Sequence, residues 1–263
     1  MGRSDAIDSF AGWRNPEAGA NSDSSMNSRA WRRIAGIAAA CALLVPSRSA
    51  EESGLVDLRP RFTAWNIGAR KQGERNTCSV CVTTSAFEFA LARGTGEPRR
   101  LSVDYLNWAC NQVVHNKTVD RGQFFHHLLA AEEKYGICTE ASMPYLPKFD
   151  PDYAPGEEAR QNAKAIKTND FRIHWIRKWD GKSGLDDAQF EAVKNVLRGG
   201  WPVAAGASHS LLLIGLREDA GQPGGGLFIV LDSNPGAFRQ RSFENVKTNT
   251  GDAFWIELNG TER

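Results

Sequence analysis

Apolar positions recur at helical spacing over the first half of the chain and gather into short strand-like runs over the second. From Cys78 to Gly94, the residues Val80, Cys81, Phe87, Phe89 and Leu91 lie in one run that predicts a helix closed by Gly94. Leu101–Val113 predicts a second helix, with Ser102 as N-cap and Tyr105, Leu106 and Ala109 behind it. Gly122–Gly136 predicts a third, carrying Phe124, Phe125, Leu128 and Leu129. Residues 143–164 are rich in Pro, Asp, Glu and Lys, show no period and read as a linker. Past it, Asp186 with Gln189 three residues on reads as a capping box for a helix over Ala188–Arg198, ended by Gly199 and Gly200. Then come Pro202–Ala207, Ser210–Leu216, Leu227–Leu231 and Ala253–Leu258, apolar runs separated by Gly, Pro and Asp turns, which predict strands. The fold class is α+β, with a helical lobe over about 70–145 and a β-rich lobe over about 165–260.

Residues 1–50 follow neither pattern. Arg29, Arg32 and Arg33 precede a small and apolar run from Ile34 to Val45, and Pro46, Ser47 and Ala50 follow it, in the order of a secretory signal. The run is too short to span a bilayer, which takes roughly 20 apolar residues. Residues 1–25 are polar and aperiodic, so Met26 reads as the start. Cys41 fits a lipid-anchor box poorly, because the apolar run continues past it and a small residue stands where leucine is usual. The expectation is an exported protein, periplasmic or secreted, with residues 51–263 as its folded domain and no stable membrane insertion once the signal is removed.

Charge narrows the partners. The chain has 32 basic and 31 acidic residues; the first fifty hold six arginines against four acids, which leaves 26 and 27 for the rest. A near-neutral domain without a basic cluster gives no electrostatic reason to bind nucleic acid.

Two segments carry chemistry. Gln72 stands six residues before Cys78, which opens the first predicted helix, and Ser208, His209 and Ser210 open a strand 131 residues further on. A helix N-terminus and a histidine partner both favour a thiolate, and first-turn N–H groups with the Gln72 amide suit an oxyanion. Asp232, ending the next strand, is placed to orient the imidazole. No cofactor or metal is implied, since Cys78, Cys81 and Cys110 lack a second close pair of ligands.

The chain resembles a papain-like cysteine peptidase of the shorter bacterial branch. Arg70, Gln72, Gly73, Arg75, Thr77 and Cys78 match the bacterial nucleophile motif, and Asn76 stands where it has glycine. Leu101-Ser102, Gly136-Ile137 and Pro144-Tyr145 match further family positions, His209–Gly215 the histidine motif, and Asp232–Pro235 the segment of its orienting residue. The resemblance spans Val56 to about Leu258. It implies a two-lobed fold, a helical lobe followed by a β-barrel-like lobe with the site in the cleft between them, and hydrolysis of a peptide or protein substrate through an acyl-thioester. Cys78, His209, Asp232 and Gln72 would be catalytic. Gly122 would offer its backbone to an extended substrate, and Trp201 would line the groove.

Three positions depart from the family: Ser79 and Asn234 replace tryptophans, and Asp232 stands where asparagine is usual. The short stretch after residue 50 resembles no pro-segment, so export, a protein inhibitor or regulator, or narrow specificity would restrain the activity. A literal Cys-x-x-Cys reading would make Cys81 the nucleophile; the Gln72 spacing and the apolar neighbours of Cys81 favour Cys78. Cys110 and Cys138 either form a disulfide or remain two buried thiols. The alternatives are a papain-like binding or scaffold protein with little turnover, and a Cys-x-x-Cys disulfide oxidoreductase, for which residues 70–77 lack the preceding strand.

Overall fold

The computed structural model describes residues 54–116, 120, 122–167 and 171–259. The leader, with Met26 and Cys41, lies outside the described residues. In chain order the elements are β1 (Leu55–Asp57), α1 (Arg59–Ala64), α2 (Cys78–Thr95), α3 (Val103–Val113), α4 (Phe125–Tyr135), α5 (Glu157–Lys167), β2 (Phe171–Arg177), α6 (Asp187–Arg198), β3 (Val203–Gly206), β4 (Leu211–Glu218), β5 (Gly226–Asp232), β6 (Ala237–Ser242), α7 (Phe243–Asn249) and β7 (Asp252–Leu258). The fold is α+β in two lobes: helices α2–α5, then the strands of one open antiparallel sheet ordered β2-β7-β3-β4-β5-β6, with β1 pairing back onto β4.

Helix α2 joins the lobes. It packs on α3 and α4 on one side and on β3, β4 and β7 on the other, and every residue from Ser79 to Ala92 is buried. A helix covered all round needs no polar face, which is why this segment carries so few charges. One of them is Glu88, fully buried, which pairs with Arg70 and Arg100 and accepts a 2.7 Å hydrogen bond from the Leu101 N–H. Burial pushes the Glu88 carboxyl up, against the Arg70 and Arg100 charges that hold it down. Removing one member of a buried ion pair costs about 3–5 kcal/mol because the other stays charged and dry. The pair therefore pins the segment that leads from Arg70 into Cys78.

The inner strands β3, β4, β5 and β7 are buried on both faces. Ala204, Leu212, Ile214, Ile229, Leu231, Phe254 and Ile256 join the core shared with α2, while Val203, Leu213, Phe228, Val230 and Ala253 face Phe190, Val193 and Leu197 of α6 and Phe243 and Val246 of α7. Two apolar faces turn alternation into continuous apolar runs, the form in which β3, β4, β5 and β7 stand in the sequence.

Local signals mostly act where they stand. Ser102 caps α3 by accepting from the Tyr105 N–H at 3.0 Å, and Asp186 and Gln189 form the reciprocal capping box of α6. Gly94 does not stop α2. The helix continues to Thr95 and ends at Gly96, whose φ of 73° is the left-handed cap; a Cβ on Gly94 would lie 2.5 Å from Leu258 Cδ2, so that glycine serves helix-to-strand packing. The stretch expected as a linker runs into α5, which buries only Ala159, Ala163 and Ile166.

Candidate active site

The segment from Arg70 to Thr77 reaches Cys78 as a loop held from both lobes. The Gln72 N–H donates to the Ser233 carbonyl at 2.9 Å, and the Ser233 hydroxyl donates to Gln72 Oε1 at 2.6 Å. The Gln72 amide nitrogen gives one N–H to the Arg75 carbonyl at 2.7 Å and has a second. The Tyr145 hydroxyl donates to the Gln72 carbonyl at 2.9 Å and shares a 2.7 Å hydrogen bond with Thr77. Arg75, itself buried, pairs with Asp104 at 2.6 Å and Asp120 at 3.0 Å. Its guanidinium thus fixes the loop through two carboxylates and is spent there; it is absent from the groups that move the Cys78 thiol.

Cys78 is the first residue of α2 and is partly exposed, facing a cavity of about 290 Å³ that Ser79, Gly122, Trp179, Gly206 and Asp252 also line. His209 lies in the turn between β3 and β4, and Asp232 is the last residue of β5, one position past the Leu212–Leu231 pair of the ladder. That register brings the two side chains together. His209 Nε2 is 2.7 Å from Asp232 Oδ1; an ionised carboxylate only accepts, so Nε2–H is the donor and Nδ1 is left for Cys78. The His209 ring and the Cys78 thiol are neighbours, each shifting the ionisation of the other. Asp232 is fully buried and accepts further from the Asn234 N–H at 2.9 Å and Arg241 Nη2 at 3.0 Å.

The electrostatics favour the charged pair. Burial is the largest single influence on Cys78 and pushes its thiol up, but hydrogen bonding to His209, the Ser210 N–H, the His209 charge and the Ser79 N–H together bring it below the ordinary thiol value. His209 is raised to about 9, chiefly by its hydrogen bond with Cys78, against burial and with help from Asp232. Cys81 is buried and pushed up to about 11 by desolvation. Cys110 and Cys138 are free buried thiols, both raised to about 12 by desolvation, and form no disulfide.

Solved structures share this architecture. Xylellain, a cysteine protease from Xylella fastidiosa, aligns with a TM-score of 0.56 at 17% identity, over 80% of this chain and 87% of that one. Digestive procathepsin L 3 of the Tenebrio molitor larval midgut aligns with a TM-score of 0.54 at 16% identity, over 78% and 70%. The proform of the ragweed pollen cysteine protease Amb a 11 aligns with a TM-score of 0.52 at 20% identity, over 78% and 65%. The fold is papain-like. No family model matches the sequence, and no curated protein does.

Within the papain-like fold, Cys78, His209 and Asp232 come together, Gln72 is hydrogen-bonded to Ser233 next to Asp232, and Gly122 lines the cavity. Trp201 does not. It precedes β3, whose far end, Gly206, is at the cavity, so about 16 Å of extended chain separates the two. Its indole packs against Phe89 and Trp255, with Arg93 over the ring at 3.8 Å. The aromatics at the cavity are instead Phe124, Phe125 and Trp179, the last in the loop after β2 with its ring 6.2 Å from Phe124. At the two positions where this papain-like chain lacks tryptophan, Ser79 accepts a 3.3 Å hydrogen bond from the Gln123 N–H, tying the Gly122 segment to α2, and Asn234 is exposed. Arg241 holds the outer oxygen of Asp232. Sequence reasoning missed Arg241 and Trp179, because neither sits in a motif.

Proposed function

We propose that the chain is an exported cysteine peptidase that hydrolyses peptide bonds through an acyl-thioester on Cys78. The observation that carries this reading is the His209–Asp232 hydrogen bond with Cys78 as the ring's other neighbour, beside a cavity and in a fold shared with cysteine proteases. The leader pattern supports export.

In the proposed reaction the Cys78 thiolate attacks the scissile carbonyl carbon and its electron pair becomes the new C–S bond. The carbonyl π pair moves to oxygen, where the Cys78 N–H and the remaining Gln72 N–H stabilise the oxyanion. Collapse breaks the C–N bond as His209 Nδ1–H protonates the leaving amine. A water molecule, deprotonated by the now neutral His209, attacks the thioester and releases the acid and the thiolate. Asp232 keeps Nε2 protonated throughout, so Nδ1 alone exchanges protons with substrate. Cys81, buried and raised to about 11, supports this reading over a dithiol exchange centre.

A peptide library incubated with the full chain and with Cys78→Ala tests the proposal. The parent should release amines with a bell-shaped pH profile. The acid limb follows Cys78 ionisation; the alkaline limb lies near 9, where His209 loses the proton that the leaving group needs. Equal cleavage by Cys78→Ala, or none by the parent, rejects it.

A further inference from the structure

The cavity beside Cys78 holds a carboxylate that the reaction above does not use. Asp252 opens β7, is 6% exposed and lines the cavity with Cys78, Phe124 and Trp179. Among the described residues, no ion pair and no hydrogen bond from another residue reaches it; its own N–H is its only donor. Arg177 acts on it through space alone, its guanidinium being given to Asp180 at 2.9 Å and to the Lys182 carbonyl at 2.8 Å. Burial raises the Asp252 carboxyl to about 6, which leaves it ionised at neutral pH. Burying an unpaired charge is unfavourable, so an anion kept at the wall of a substrate cavity calls for a cation that arrives with the substrate.

The backbone makes room for this carboxylate. Gly206 faces Asp252 across the β3–β7 ladder, and a Cβ there would lie 1.8 Å from Asp252 Oδ1. Gly206 is not among the glycines with positive φ, so space, not conformation, demands glycine at this strand position. At the cavity Phe124 and Trp179 are 49% and 41% exposed, which offers apolar and π surface to the stem and head of a long cationic side chain.

We propose that Asp252 determines specificity, receiving the guanidinium or ammonium of a substrate arginine or lysine whose stem lies against Phe124 and Trp179. This rests on the peptidase reading and names its substrate class. Peptides carrying Arg, Lys, norleucine or Glu at each position N-terminal to the scissile bond test it. At one position Arg and Lys should exceed norleucine by about 10- to 100-fold in kcat/KM, the range of a charge-assisted hydrogen bond made in a cavity. Asp252→Asn, of similar volume, should bring that ratio to within about threefold of unity through loss on the basic peptides, and Gly206→Ala should lower it by displacing the carboxylate. A parent that favours norleucine everywhere, or an Asp252→Asn enzyme that keeps the basic preference, overturns the proposal.

Binding separates this proposal from the peptidase reading. Calorimetry on Cys78→Ala, with a peptide containing Arg and its norleucine twin, needs no turnover and no change at Asp252. The Arg peptide should bind about tenfold or more tightly, and equal affinities overturn the role of Asp252 whatever the parent cleaves. Absence of all cleavage by the parent counts against the peptidase reading alone.

Discussion

His209→Ala should lower kcat/KM for peptide hydrolysis by about 10⁴-fold, the scale seen when the base of a nucleophile–base pair is removed. His209 does two tasks in this site. It keeps Cys78 below the ordinary thiol value against burial, which alone would push the thiol up, and it supplies the proton to the leaving amine. Alanine removes both, so raising the pH should restore thiolate but not turnover. Initial rates from pH 5 to 10 check this: a His209→Ala enzyme that recovers parental rates in alkali would show that His209 only ionises the thiol.

Asp232→Ala should lower kcat by about 100-fold with little change in KM, because Asp232 touches His209 and not the cavity. Asp232→Asn should be milder, about tenfold, since its amide oxygen can still accept from Nε2–H while the charge that steadies the imidazolium is lost. Asp232 also neutralises Arg241 and caps the Asn234 N–H. A thermal melt must therefore accompany the kinetics, and the alanine variant should melt lower than the asparagine variant. An Asp232→Ala enzyme with parental kcat would remove Asp232 from the site and leave the imidazole held by other means.

The sequence made the site legible further than the fold. Cys78 and Asp232 could be placed because each stands at the end of an element, where position along the chain fixes position in space; Gln72 and His209 lie in loops and could be placed by their spacing from Cys78. Helix α2 and strands β3, β4, β5 and β7 could be read because they are buried and therefore strongly apolar. The missed elements lack that signal. Helix α5 buries two alanines and one isoleucine among charged residues, too narrow a stripe to outweigh its composition. Strand β6 is an edge strand carrying Arg239, Gln240 and Arg241, the charged dress that protects edges and hides them from pattern reading. Trp201 misled for a related reason: proximity along the chain to the strand before His209 says nothing about which end of that strand faces the cavity. Asp252 escaped notice because an acid at the start of an apolar run reads as a turn residue, and only the β3–β7 register shows that it opens onto Cys78.

The most direct test of the Cys78–His209 pair is the rate of iodoacetamide alkylation at pH 6, compared by mass spectrometry among Cys78, Cys81, Cys110 and Cys138 of the native chain. Each unit of pH below a thiol's pKa lowers its thiolate fraction about tenfold. Cys81, raised to about 11, and Cys110 and Cys138, raised to about 12, should therefore stay unmodified while the Cys78 thiolate reacts. The account predicts rapid modification confined to Cys78 and slowed at least tenfold in His209→Ala. Labelling of Cys81 first, or a Cys78 rate unchanged by loss of His209, would contradict it.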